Sequence, residues 1–138
     1  DLQTVPINAT LGDLVKRVSR SSRNIFPVVN EDDALLGIVL LDDIRKVMFN
    51  QDLYDKTFVR DFMTTPPTIV DVTDSMDLVM KKFEDTKAWN LPVIEDGRYI
   101  GFVSNFYHTE PFTFCFKILC RYCFGLRSFG SRCLAYSF

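Results

Sequence analysis

Few residues of this chain could do chemistry, and their spacing limits what chemistry that is. Asp32-Asp33 and Asp42-Asp43 are neighbouring carboxylate pairs, His108 is the single histidine, and the four cysteines are Cys115, Cys120, Cys123 and Cys133. Adjacent carboxylates on a turn or at a helix start face solvent, and like charge alone makes no acid–base dyad. No nucleophile has a recognisable base partner, so an enzyme is not expected. Cys120-Arg121-Tyr122-Cys123 is one C-x-x-C pair, whereas a four-thiolate zinc site uses two. Buried or incidental thiols are expected there, and no metal. Two further positions stand out by their context. Asp43 follows Gly37 by six residues and Ser104 follows Gly101 by three, at two different points of a repeated pattern.

That pattern organises the chain. Ile25-Phe26-Pro27-Val28-Val29, an acidic turn, and Leu35-Leu36-Gly37-Ile38-Val39-Leu40 read as a strand hairpin. Leu91-Pro92-Val93-Ile94, Glu95-Asp96-Gly97-Arg98 and Tyr99-Ile100-Gly101-Phe102-Val103-Ser104 repeat it. Upstream, Val5, Ile7, Leu11, Leu14 and Val18 fall 65 positions before Val70, Val72, Met76, Val79 and Phe83. So long a period indicates two tandem small domains rather than a solenoid.

The elements that position these residues follow from local pattern. Thr4–Ile7 is expected as a short strand. Thr10-Leu11-Gly12-Asp13 forms a capping box with Asp at the fourth position, opening an amphipathic helix from Leu11 to about Ser19. Strands over 25–29 and 35–40 lead to a helix over 42–49, whose N-terminus suits Asp42 and Asp43. Residues 1–50 thus form one β-α-β-β-α unit, and 51–67 link it to the next, with a helical turn near Val59–Met63 stopped by Pro66-Pro67. The second unit, 68–104, reads as strand 68–72, helix 74–85 with Met76, Val79, Met80 and Phe83 inward, and strands 89–94 and 99–104. Trp89 suits a core or interface anchor. Pro27 and Pro92 suit edge positions or bulges, because a central strand needs the N–H that proline lacks.

Hydrophobic content of 47% and charged content of 25% are ordinary for a soluble globular domain. Residues 1–104 carry a net charge of −5 and residues 105–138 a net charge of +3. An acidic body argues against nucleic acid, which needs clustered Lys and Arg. No signal peptide or bilayer-length apolar run is present. A cysteine-free body fits the cytosol. The chain opens at Asp1 with no initiator Met, as a fragment of a longer protein would. Residues 105–138 hold seven Phe and no Asp, a composition that a shifted reading frame or vector-derived extension would produce. If that tail folds, its spacing allows a helix over 112–124 with Phe112, Phe116, Leu119 and Cys123 on one face.

Two β-α-β-β-α units carrying h-P-V-h and then G-h-h-(T/S)-x-x-D resemble a tandem pair of cystathionine-β-synthase (CBS) domains, a Bateman module, over residues 1–104. Val59-Arg60-Asp61-Phe62-Met63-Thr64 resembles the lead-in of such a unit. Asn50-Gln51-Asp52-Leu53-Tyr54-Asp55 is similar to the linker in cytoplasmic tails of prokaryotic ClC-type chloride channels. The resemblance implies an α/β fold with the units packed about a pseudo-twofold axis. It also implies adenine-nucleotide clefts (ATP, ADP or AMP), homodimers, and attachment to a transmembrane channel domain as a cytoplasmic part of an inner-membrane protein. The alternatives are a ligand-free dimerisation scaffold or the accessory regulatory domain of a cytosolic nucleotide-metabolism enzyme. Asp43 would accept from ribose hydroxyls, and Ser104 would contact phosphate or ribose. Leu40 stands at the corresponding hydroxyl position of the first unit. Thr4, Val5, Ile7, Phe26, Pro27, Thr68, Ile69, Val70 and Pro92 would line the clefts. The sequence departs from the pattern twice, with Leu40 in place of the hydroxyl and Tyr107 in place of the second Asp. Asp43 is equally readable as a helix-start carboxylate, and Ser104 as a strand-end cap.

Overall fold

The structure is a computed structural model that describes residues 4–107 and 114–120, the last seven, with Phe106 and Tyr107, by backbone alone. The described residues form two compact units. The first holds residues up to Pro66 with Gly97–Tyr99, and the second holds Pro67–Asp96 with residues from Ile100 on.

The first unit is β1 (Val5–Pro6), α1 (Leu11–Ser19), β2 (Ile25–Val29), β3 (Leu35–Leu40) and α2 (Leu41–Ile44). Its sheet has the order β1-β2-β3, with β1 parallel and β3 antiparallel to β2. The α1 boundaries follow from the sequence. Thr10 Oγ1 accepts from the Asp13 N–H and Asp13 Oδ2 accepts from the Thr10 N–H, each at 3.3 Å, closing the capping box. Leu11, Leu14 and Val18, at helical spacing, are buried. Leu14 and Val18 join Val5, Ala9, Phe26, Val28, Val39, Ile44 and Val59 in one core.

The expected helix over 42–49 is shorter than its spacing suggested. Helix α2 ends at Ile44 and turns follow to Phe49. The carbonyl of Met48 accepts from the Tyr54 hydroxyl at 2.6 Å. Asp42 and Asp43 do lie in the first turn, as expected.

Residues 51–66 pack on this unit. The N–H groups of Leu11 and Gly12 donate to the carbonyls of Thr57 and Tyr54, and Val59 N–H donates to Ala9 O. A helical turn spans Val59–Asp61. Thr64 then pairs with Ile38 at the outer edge of β3, donating and accepting at 2.8 and 2.9 Å.

The second unit is β4 (Val70–Asp71), α3 (Met76–Thr86), β5 (Asn90–Glu95), β6 (Arg98–Tyr107) and β7 (Phe114–Cys120), in the sheet order β4-β5-β6-β7. Val79 and Phe83 of α3 are buried with Val70, Leu91, Val93 and Val103, and Met76 and Met80 pack at the margin of this core. The β5–β6 turn is Asp96-Gly97, both at positive φ (50° and 78°), the conformation of a two-residue hairpin loop.

The 65-residue repeat survives at the level of single hydrogen bonds. Ala9 N–H to Pro6 O, Ile7 N–H to Val29 O and Leu14 N–H to Thr10 O recur as Asp74 to Asp71, Val72 to Ile94 and Val79 to Ser75. Past the hairpins the offset becomes 64, because the first turn is one residue longer. Leu41 N–H to Asn24 O therefore recurs as Asn105 N–H to Trp89 O, both at 2.8 Å.

Three expectations fail in whole or in part. First, β7 is a strand paired antiparallel to β6 from Gly101↔Cys120 to Tyr107↔Phe114, where a helix over 112–124 was expected. Phe114, Phe116 and Ile118 also alternate at strand period, and an open β6 edge supplies the partner. The rest of that helix, Cys123 of the C-x-x-C pair, His108 and Cys133 lie outside the described residues. Second, Trp89 is 67% exposed, which removes the core alternative for it and leaves the interface one. Third, Pro27 and Pro92 are not at an edge: they sit in β2 and β5, strands with neighbours on both sides, although the β2–β3 register shifts at Val28/Val29, just after Pro27. Ile38 spends both backbone groups on Thr64, so Pro27↔Ile38 is a non-hydrogen-bonded pair and the proline nitrogen faces the β1 side. There β1 pairs only from Val28 onward. The missing N–H deprives no ladder partner.

Asp71 offers a local test. Its carboxylate is held below the ordinary carboxylate value by the Thr73 backbone N–H, then by the Thr73 hydroxyl, with the Lys82 charge adding to both. A depressed value means that this turn's contribution is present above the ordinary carboxylate range and is lost as pH falls through the lowered value. Thr73→Val is expected to move the Asp71 titration upward, read by carboxyl-carbon NMR, with a small stability loss at neutral pH that disappears at acid pH.

Candidate functional site

In the first unit, the end of the sheet where β2 begins and β3 ends gathers most of the residues singled out by sequence. Ile25 lies opposite Leu40, Phe26 opposite Val39 and Pro27 opposite Ile38. The parallel register of Val5 with Val28 places Thr4 beside Pro27. β3 passes directly into α2, with Leu40 as N-cap and Asp43 in the first turn. Thr4, Pro27, Leu40 and Asp43 therefore share one mouth. Asp43 is exposed there and makes no ion pair among the described residues, while Asp42 pairs with Arg45 at 3.1 Å. Val5 and Phe26 are fully buried and can offer only backbone. Ile7 is not at the mouth. Its N–H donates to Val29 O at the far end of β1, and its side chain packs on the core.

The equivalent end of the second unit differs. Val70 is paired with Val93 and fully buried, which sets Ile69 beside Pro92, with Thr68 half-buried just before. Ser104 is buried and its hydroxyl donates to Asn90 Oδ1, so it is spent inside the unit. β6 continues through Ser104 to Tyr107, and Ser104 faces Lys117 of β7. Where α2 begins after Leu40, the chain after Ser104 runs on as strand to Tyr107. Asn105 is buried too, and its Oδ1 has no hydrogen-bond partner among the described residues.

Two cations were missed by sequence reasoning. Arg17 Nη1 donates to Thr4 O, and Lys82 Nζ donates to Ile69 O, each at 2.8 Å. The two are 65 residues apart, so the repeat register that aligned the apolar residues also carried them. They occupy carbonyls that the resemblance assigned to the cleft lining.

The CBS domain sequence profile matches residues 1–50 and 59–105, most of the chain. This chain belongs to the CBS domain family. It carries a tandem CBS pair, each unit built on a β-α-β-β sheet. The solved structure of CBSX2 in complex with AMP is 26% identical, with a TM-score of 0.61, covering 75% of this chain and 82% of that one. The CBS domain of a bacterial CNNM/CorC family Mg2+ transporter, in complex with ATP, shares the fold at 20% identity and a TM-score of 0.64, covering 75% and 73%. A homoserine O-acetyltransferase of Methanobrevibacter ruminantium is 30% identical over 96 residues, 70% of this chain. The chain spans 19% of that relative's length. No helix among the described residues is long and apolar enough to cross a membrane.

Proposed function

We propose that this CBS pair is a noncatalytic regulatory module that binds an adenine nucleotide through the first unit and pairs into homodimers. The observation that carries it is Asp43, a carboxylate without an ion-pair partner among the described residues, at a mouth shared with Thr4 and Pro27. The AMP complex of CBSX2, similar to this chain over both units, supports it. A carboxylate can accept from two ribose hydroxyls at once. Leu40 offers no hydroxyl to phosphate, and α2 is only four residues long. Recognition then rests on the nucleoside, and ATP, ADP and AMP should bind with similar affinity.

The parent is proposed to be a membrane transporter, of chloride-channel type by the likeness of Asn50–Asp55, with the module in the cytoplasm. A nucleotide could bias that parent only by binding one of its conformations better than another. Calorimetric titration with AMP tests the site. Asp43→Ala should weaken binding by about tenfold or more, the worth of a hydrogen bond to a charged group. Asp42→Ala, about 100° around the helix from Asp43 and already paired with Arg45, should not. A second reading, a ligand-free dimerisation scaffold, is favoured by the spent Ser104 hydroxyl and the occupied Thr4 and Ile69 carbonyls. Folded dimer that gives no heat with any of the three nucleotides would select it.

A further inference from the structure

The repeat permits a comparison of α1 with α3 that exposes a charge without a partner. In the second unit Lys82 donates to Ile69 O and is also paired with Asp74 Oδ2 at 2.6 Å, with both side chains largely buried. In the first unit Arg17 donates to Thr4 O in the same way. The residue 65 before Asp74 is Ala9, so no carboxylate is built in. Arg17 has no ion pair among the described residues, and neither has Lys16 or Arg20. Asp85, the counterpart of Arg20, adds a second negative charge on the α3 side that α1 lacks.

These cations line an open groove of about 550 Å³ with Pro6, Asn8, Ala9 and Asp13, a volume within the range of small-molecule sites. Asp13 is the groove's one carboxylate, and the α1 capping box holds it. Lys16 and Arg20 are separated by four residues and Arg17 and Arg20 by three, so all three present neighbouring charges across one turn. Arg17 keeps further N–H donors in its planar fork after serving Thr4.

We infer that this groove binds a small anion bearing two or more phosphate groups, one of which takes the place beside Arg17 that the Asp74 carboxylate takes beside Lys82. Cations one turn apart suit a ligand with two linked anionic groups better than a single carboxylate. The −5 charge of residues 1–104 disfavours nucleic acid as the source. The site is separate from the Asp43 mouth and goes beyond the nucleotide reading.

The test is an NMR titration of the whole chain with inorganic triphosphate, following the Arg side-chain Nε–H signals and the Asn8 amide. Saturable shifts are expected on Arg17, Arg20 and Asn8. Arg20→Gln should weaken binding about fivefold, the upper worth of an exposed ion pair. Ala9→Asp, which builds in the carboxylate of the second unit, should abolish the shifts. Lys81→Gln, the counterpart of Lys16 on α3, should leave them unchanged. Absence of saturation at millimolar triphosphate, or loss of binding equal in Lys81→Gln and Arg20→Gln, would overturn the inference. Shifts confined to Leu40–Ile44 and insensitive to Ala9→Asp would also overturn it, while leaving the nucleotide site standing.

Discussion

Phe26→Ala is expected to lower the stability of the first unit by about 3–5 kcal/mol, the cost of emptying a large buried aromatic site. Phe26 is 0% exposed and sits among Val5, Leu14, Val28, Val39, Ile44 and Val59, which come from both helices, all three strands and the segment that follows them. A residue touching so many elements leaves a cavity that no single one can move to fill. In urea, the unfolding midpoint should fall without a compensating change in slope. Hydrogen exchange should localise the loss, with the amides of β1, β2 and β3 losing protection first. Phe49, 83% exposed, supplies the contrast: Phe49→Ala should change stability by less than about 0.5 kcal/mol. A loss for Phe26→Ala no larger than that for Phe49→Ala would mean that the first core is not built around this ring.

What the sequence could reveal depended on whether a feature was decided locally. The α1 limits were legible because Thr10 and Asp13 make the cap and Leu11, Leu14 and Val18 make the buried face within one element. The two hairpins were legible because apolar runs flank Asp96-Gly97 in one case and the acidic turn at 31–34 in the other. The α2 end was not, since nothing local to residues 42–49 marks a stop at Ile44. The place of Pro27 was misjudged for a similar reason. The rule that excludes proline from inner strands assumes a neighbour that needs its N–H, and β1 pairs only from Val28 onward. For the tail, Phe112, Phe116 and Leu119 fit a helix while Phe114, Phe116 and Ile118 fit a strand. Only the β6 edge decides between them.

The candidate site divides the same way. The departures at Leu40 and Tyr107 were legible, and they mark real differences between the units, since a helix follows β3 but β6 runs on as strand. Ser104 was read as a strand-end cap or a phosphate contact, but it lies inside β6, and its partner Asn90, fourteen positions away, is not revealed by sequence spacing. Arg17 and Lys82 were legible in principle. Both are cations on the polar side of amphipathic helices, at the repeat offset, and such residues read as solvated until the carbonyls they reach are known.

Gly37→Ala is the second large effect expected, and it separates the role of one glycine from ordinary strand packing. A Cβ at Gly37 would lie 2.5 Å from Met63 Cγ, 2.8 Å from Met63 Sδ and 2.9 Å from the Thr64 carbonyl oxygen. The Met63 side chain can swing away at modest cost, because it is unbranched and adaptable. The Thr64 carbonyl cannot, because it accepts the Ile38 N–H at 2.9 Å and belongs to the pairing that closes the outer edge of β3. Relieving the clash means shifting the 62–64 segment off that edge, so the substitution should cost about 1–3 kcal/mol as overpacking does. The amides of Ile38 and Thr64 should lose exchange protection together. The double variant Gly37→Ala/Met63→Ala distinguishes the two contacts. If Met63 were the obstacle, it would be more stable than Gly37→Ala alone. Because the backbone contact is the obstacle, it should be no more stable than the single variant, and Thr64 should stay unprotected. Full recovery in the double variant would show that the glycine serves the methionine and not the edge. Gly101, the counterpart in β6, lies opposite Cys120 of β7, so the two units meet the same requirement for a covered third-strand edge with different segments of chain.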